Sequence, residues 1–282
     1  MTPWNQVTIV GTGLIGGSLG LALKRAGLAR NVVGVGHRRS TLDRALACGA
    51  VDDATLDPAE GVRGSDLVVL ATAVGLFESL LRRAADHLAD GAVVIDVGST
   101  KAEVVRTAEA LVPPGRAFVG CHPIAGSEKR GIAWADADLF DGAACAVTPT
   151  DRTPADALGR VVETWEALGM RVVRLSPAEH DRLLAEVSHL PHLAAAALVR
   201  AVSPEAEGLV GTGWTDTTRI AASAPALWRD ILLTNADGVA AALARFRETL
   251  ADLEDALADR DGEGIERLLA EAKARRDRIV GE

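Results

Sequence analysis

Six short runs rich in Val, Ile and Leu, at 7–10, 32–35, 67–71, 93–97, 117–119 and 145–148, alternate with segments of helical period near 14–26, 41–47, 76–88, 101–110 and 154–168. Strands that are apolar on both faces and separated by helices fit a mostly parallel sheet covered on both sides. The first half of the chain is therefore expected to be a doubly wound α/β domain. Ligands of such sheets sit at the carboxyl ends of the strands.

The second half reads as helix. In "SPAE", Ser176 is placed to cap a helix, Pro177 to open it and Glu179 to complete a capping box. Val239, Leu243, Phe246, Leu250, Leu253 and Leu257 follow at spacings of 4, 3, 4, 3 and 4, a heptad seam that something must bury. An ordinary intrachain core and a second subunit both satisfy that need. The 282 residues, 48% of them hydrophobic, can form two domains. The expected division is 1–170, nucleotide-binding, and 171–282, all-helical.

A net charge of -9 and a pI near 5.2 argue against nucleic-acid or anionic-membrane partners, which select clustered Lys and Arg. Cys48, Cys121 and Cys145 have no paired spacing, so neither a disulfide framework nor a metal knuckle is expected. No basic segment precedes Val7 and no uncharged apolar run reaches membrane-spanning length. The expectation is a soluble cytoplasmic protein.

"VTIVGTGLIGGSL" places Gly11, Gly13 and Gly16, with Leu14 and Ile15 between them, directly after a strand and at the start of a helix. In that setting backbone N–H groups can approach a pyrophosphate, so a dinucleotide site is expected; the plainer reading is a tight turn. At the end of the second strand an NAD site usually offers an acid for the ribose hydroxyls. This chain offers His37, Arg38, Arg39 and Ser40 instead. Two guanidinium groups and a hydroxyl suit a 2'-phosphate, which favours NADP over NAD; a solvated basic turn is the other reading.

"VGCHPIAGSEKRG" then carries His122 to the carboxyl edge of the sheet, where a ring with a pKa of about 6.5 can take a proton from a substrate hydroxyl. A loop histidine capping a carbonyl is the simpler possibility. A nucleophilic Cys121 is disfavoured because neighbours on a strand face opposite ways. In "DVGSTKAE", Thr100 and Glu103 have capping-box spacing, which would leave the Ser99 hydroxyl to face the cleft, unless Ser99 is itself the cap. In "SHLPH", His189 and His192 share a helix face and Pro191 should bend the helix; no third metal ligand accompanies them. Asp216 and Arg219 stand at helical spacing in "TDTTR", where Arg219 is either a carboxylate fork or half of a surface ion pair.

Taken in order, G-x-G-x-x-G, "DVGSTK", "HPIAGSEKRG", "SHLPH", "TDTTRIAAS" and "LWRDI" resemble the prephenate and arogenate dehydrogenases of tyrosine biosynthesis, over nearly the whole chain. The resemblance implies a Rossmann-type domain, a helical dimerisation domain and a homodimer. It also implies oxidative decarboxylation of a cyclohexadienol small molecule to a phenol, with reduction of NAD or NADP and no metal. His122 would be the catalytic histidine and Ser99 its hydrogen-bonding partner. Arg219 would hold a substrate carboxylate, His192 would line the pocket, Glu128 would stand at its mouth and Trp228 would come from the neighbouring subunit. Thr215 and Ala73 depart from the pattern, standing where relatives often carry a cation and a proline. A hydroxy-acid dehydrogenase would place a lysine where "SHLPH" has none, and a non-catalytic NADPH-binding regulator would keep the pocket without the activity.

Overall fold

The computed structural model describes residues 2–126 and 129–281. Eight strands form one sheet in the order β3-β2-β1-β4-β5-β6-β7-β8. They are β1 (Trp4–Val10), β2 (Ala29–Val35), β3 (Asp53–Thr55), β4 (Leu67–Leu70), β5 (Val93–Asp96), β6 (Ala117–Pro123), β7 (Ala144–Thr148) and β8 (Arg171–Arg174). The first six run parallel; β7 is antiparallel to β6, and β8 parallel to β7. The strand order reverses between β1 and β4, and a crevice opens at such a switch point beyond the strands' carboxyl ends.

Side chains alternate cleanly across the sheet. Ile9, Leu67, Val69, Ile95 and Val119 enter one hydrophobic cluster, whereas Val10, Val68, Leu70, Val94 and Phe118 enter a second on the opposite face. Helices α1 (Leu14–Arg25), α2 (Arg39–Ala47), α3 (Pro58–Gly61), α4 (Phe77–Ala84), α5 (Ala102–Leu111) and α6 (Ala155–Ala167) accompany it. Leu19 and Leu23 of α1 and Val161 and Trp165 of α6 fill the first cluster; Phe77 and Leu81 of α4 and Val104 and Ala108 of α5 fill the second. Parallel strands buried on both faces explain the near-continuous apolar runs.

The expected boundary after 170 falls inside the sheet, since Arg171–Arg174 pairs with β7 as an edge strand. Beyond it lie α7 (Pro177–Leu184), α8 (Leu190–Ala201), α9 (Thr212–Thr218) and α10 (Pro225–Thr234), then α11 (Ala236–Ala258) and α12 (Gly262–Val280). The capping box at Ser176 and Glu179 forms as expected. A π-helical turn, Ala185–His189, joins α7 to α8. It contains Val187, whose carbonyl an α-helix would drive into the Pro191 ring, so the expected bend takes the form of a wider turn.

The chain packs as two compact units, 1–235 and 236–282. In the second, α11 and α12 contact each other. Val239 is buried, but Leu243, Leu250 and Leu257 are 39%, 46% and 65% exposed, so much of the seam faces solvent in the single chain. Among the described residues no helix is long and apolar enough to cross a membrane.

Candidate active site

The glycine turn closes the carboxyl end of β1. Gly11 has φ 108, and a Cβ there would come within 2.6 Å of the Ala71 carbonyl oxygen; a Cβ at Gly16 would collide with the carbonyl of Gly11. Both positions therefore require glycine. A Cβ at Gly13 would meet nothing within 4 Å, and no side chain caps α1. The helix thus begins at open space with its first N–H groups uncovered, which fits a pyrophosphate. His37, Arg38, Arg39 and Ser40 are all exposed just past β2, and among the described residues neither arginine is in an ion pair.

Leu14 and Ile15 of that turn share one cavity of about 710 Å3 with Ser99, His122, Arg219 and Trp228. The volume is that of an ordinary ligand cleft. His122 reaches it because β6 outruns its neighbour. Pairing with β5 ends at Ile95 and Val119, and the Asp96 carboxylate takes over, accepting from the Cys121 N–H at 3.1 Å. Cys121 turns into the core and its thiol is pushed up to about 12 by burial, which removes it as a nucleophile. His122 projects to the other side.

Behind His122 stands a chain of buried polar groups that the sequence did not reveal. His122 Nδ1 lies 2.9 Å from His180 Nε2, and His180 Nδ1 lies 2.8 Å from Asp181 Oδ1. Asp181 also accepts the backbone N–H groups of Lys101 and Ala102 at 2.7 and 2.8 Å. It therefore caps α5 from 80 residues away, and the expected Thr100–Glu103 box does not form; the Thr100 hydroxyl bonds Thr234 instead, at 2.9 Å. Lys101 Nζ pairs with Asp96, and both side chains are fully buried. Burial pushes the Asp96 carboxyl up, against the pull of Lys101.

His122 is held well below its ordinary pKa, chiefly by burial, then by the positive charge of Lys101 and by His180 and His189. Its ring is neutral at physiological pH. Burial also lowers His180, His192 and His189, the last to about 4.

Ser99 lines the cavity, but the ring partner of His122 is His180, because β6 presents Nδ1 to α7; among the described residues no Ser99–His122 bond forms. His192, expected to line the pocket, is buried behind the cavity's lining residues instead and stacks on Trp228 at 3.6 Å with 5° between planes. Trp228 thereby walls the cavity of its own chain, where the resemblance implied a neighbour's, since α10 follows the turn that carries Arg219. His189 accepts from Asn235, whose amide also donates to the Asp181 carbonyl. Arg219 opens a 3-10 turn after α9 and is exposed in the cavity wall. Glu128 lies outside the described residues.

The chain matches the prephenate dehydrogenase nucleotide-binding domain over 19–174 and the prephenate dehydrogenase dimerization domain over 176–271. It is 34% identical to a prephenate dehydrogenase of Bacillus subtilis, covering 97% of this chain and 76% of that protein. It is also 34% identical to a cyclohexadienyl dehydrogenase of Zymomonas mobilis, covering 93% and 92%. Among solved structures, the prephenate dehydrogenase of A. aeolicus in complex with hydroxyphenyl propionate and NAD+ has a TM-score of 0.91 at 33% identity, covering 98% of each chain. Synechocystis arogenate dehydrogenase has a TM-score of 0.83 at 30% identity, covering 97% of this chain and 99% of that one.

Proposed function

The chain belongs to the prephenate dehydrogenase family, and from that premise we propose that its cavity oxidises a cyclohexadienol, prephenate or its amino counterpart arogenate, to a phenol with loss of carbon dioxide. One observation carries the reading: a single cavity joins the turn that would hold the dinucleotide to His122 and Arg219. The nicotinamide, when bound, supplies the hydride acceptor. His122 takes the ring hydroxyl proton as the hydride leaves the same carbon. Departure of the carboxylate as carbon dioxide leaves its electron pair to complete the aromatic ring, and the proton returns to the oxygen, so the step releases no net proton. Aromatisation makes the reaction downhill, and the chain need supply mainly orientation, one base and a cation for the substrate's carboxylates. Arg219 is that cation in this reading, and Trp228, backed by the stacked His192, is the wall against which the ring is oriented.

The preferred cofactor in this reading is NADP. Arg38 and Arg39 stand exposed past β2 with no ion pair among the described residues, and His37 occupies the place of a ribose-binding acid. The chain works as a homodimer, supported by the dimerization-domain match and the exposed leucines of α11. Light scattering at micromolar concentration should give the mass of two chains; a monomer would overturn this.

Mixing the protein with NADP and either cyclohexadienol should reduce one cofactor per carbon dioxide released. Reduction with a small hydroxy acid alone would move the chain to another dehydrogenase class. No reduction with any of these would leave a nucleotide-binding protein without the activity.

A further inference from the structure

A general base needs a particular ring nitrogen free, and the hydrogen bonds behind His122 settle which one. Asp181 accepts from two backbone N–H groups, Lys101 and Ala102, which can only donate. Each carboxylate oxygen already accepts one of these N–H groups, so the 2.8 Å contact at His180 Nδ1 is a donation from the imidazole to Oδ1. Neutral His180 then has a bare Nε2. The 2.9 Å contact to that atom is in turn a donation from His122 Nδ1, which leaves His122 Nε2 bare. His180 is 0% exposed and Asp181 4% exposed, so the partners are shut in with this arrangement.

We propose that His180 and Asp181 are positioning residues that lock His122 in its Nδ1–H tautomer, with Nε2 ready to accept the substrate's proton. The inference rests on His122 being the base. It is a positioning relay and not a proton wire: a proton passed to buried His180 has no outlet to water, whereas His122 lines the cavity and can return it to the substrate oxygen. The same carboxylate that fixes His180 also caps α5, so the loop carrying Gly98 and Ser99 and the ring of His122 are registered by one group.

Asp181→Asn inverts the relay at nearly constant volume. The Lys101 N–H and His180 Nδ1 share Oδ1 while the Ala102 N–H holds Oδ2, so an amide oxygen kept by Ala102 places the new NH2 against His180 Nδ1, makes His180 donate from Nε2 and forces the proton of His122 onto Nε2. In full-length protein with NADP bound and 15N-labelled histidine, the His122 Nε2 resonance, assigned by its loss in His122→Asn, should change from pyridine-like to pyrrole-like. Turnover should fall ~10²–10⁴-fold while NADP affinity stays within about threefold. His180→Gln offers a carbonyl to His122 Nδ1 and should keep turnover within about tenfold of the parent, whereas His180→Leu should lose ~10²-fold or more.

Equal turnover of His180→Gln and His180→Leu overturns the relay, as does a pyridine-like Nε2 in folded Asp181→Asn whose turnover has fallen. Should Asp181→Asn fail to fold, the two His180 variants decide. The base assignment fails separately, if His122→Asn turns over at the parent rate.

Discussion

The two ends of the cavity are built in opposite ways. At the cofactor end the turn that would hold the pyrophosphate lies within residues 11–16: backbone N–H groups at a helix start, a positive φ at Gly11 and close packing at Gly16. At the catalytic end Asp96 bonds a backbone group 25 residues on, His122 bonds a ring 58 residues on, and Asp181 reaches back 80 residues to cap α5. The first end is backbone geometry that a few glycines permit; the second is side-chain chemistry that only the finished fold assembles. It follows that damage to the catalytic network should cost stability as well as rate, whereas loss of the exposed Arg38 and Arg39 at the cofactor end should change affinity alone.

Lys101→Met sharpens that contrast most. It leaves Asp96 buried beside no cation, and breaking a buried pair costs about 3–5 kcal/mol, so urea denaturation should show a loss of that size. A loss under about 1 kcal/mol would mean that Asp96 protonates or that water enters at little cost.

Acid should strike the same end next. His122, His180, His189 and His192 all have folded values below the unfolded ~6.5, so the unfolded chain binds their protons first. The stability they confer is complete above pH ~6.5 and is lost as pH falls towards the folded values. For His189, held at about 4, the loss is on the order of 3 kcal/mol. Chemical denaturation between these limits should show stability falling with pH; a flat profile would contradict the buried neutral histidines.

The smallest effect belongs to the cofactor end. Exposed guanidinium contacts to a 2'-phosphate are screened by solvent and salt, so the preference for NADP over NAD should be ~10²-fold in kcat/KM. Arg38→Ala with Arg39→Ala should erase most of it at unchanged stability, and equal use of both cofactors by the parent at low salt would make the basic turn a plain surface feature.

The contrast also explains what could be read from the sequence. The six apolar runs all became strands because burial on both faces leaves a signal in every residue. β3 and β8 escaped because Asp53–Thr55 and Arg171–Arg174 are short edge strands, the first with one apolar residue and the second with two valines flanked by arginines. The Ser176 box was legible because both of its partners lie within four residues. The Thr100 box failed for the converse reason, since a distant carboxylate claims the same donors. His122 was visible through its place at the end of a strand, while His180 and Asp181, adjacent on α7, look like any polar pair near a helix start. The residues "EHD" at 179–181, one turn into a capped helix, were the only local hint.

The most direct measurement is single-turnover reduction of NADP by the parent and by His122→Asn, with cofactor affinity measured on the same preparations. Reduction coupled to carbon dioxide release in the parent, slowed ~10²–10⁴-fold in His122→Asn with NADP affinity nearly unchanged, is the result this account predicts. A His122→Asn protein that reduces NADP from prephenate or arogenate as fast as the parent would contradict it.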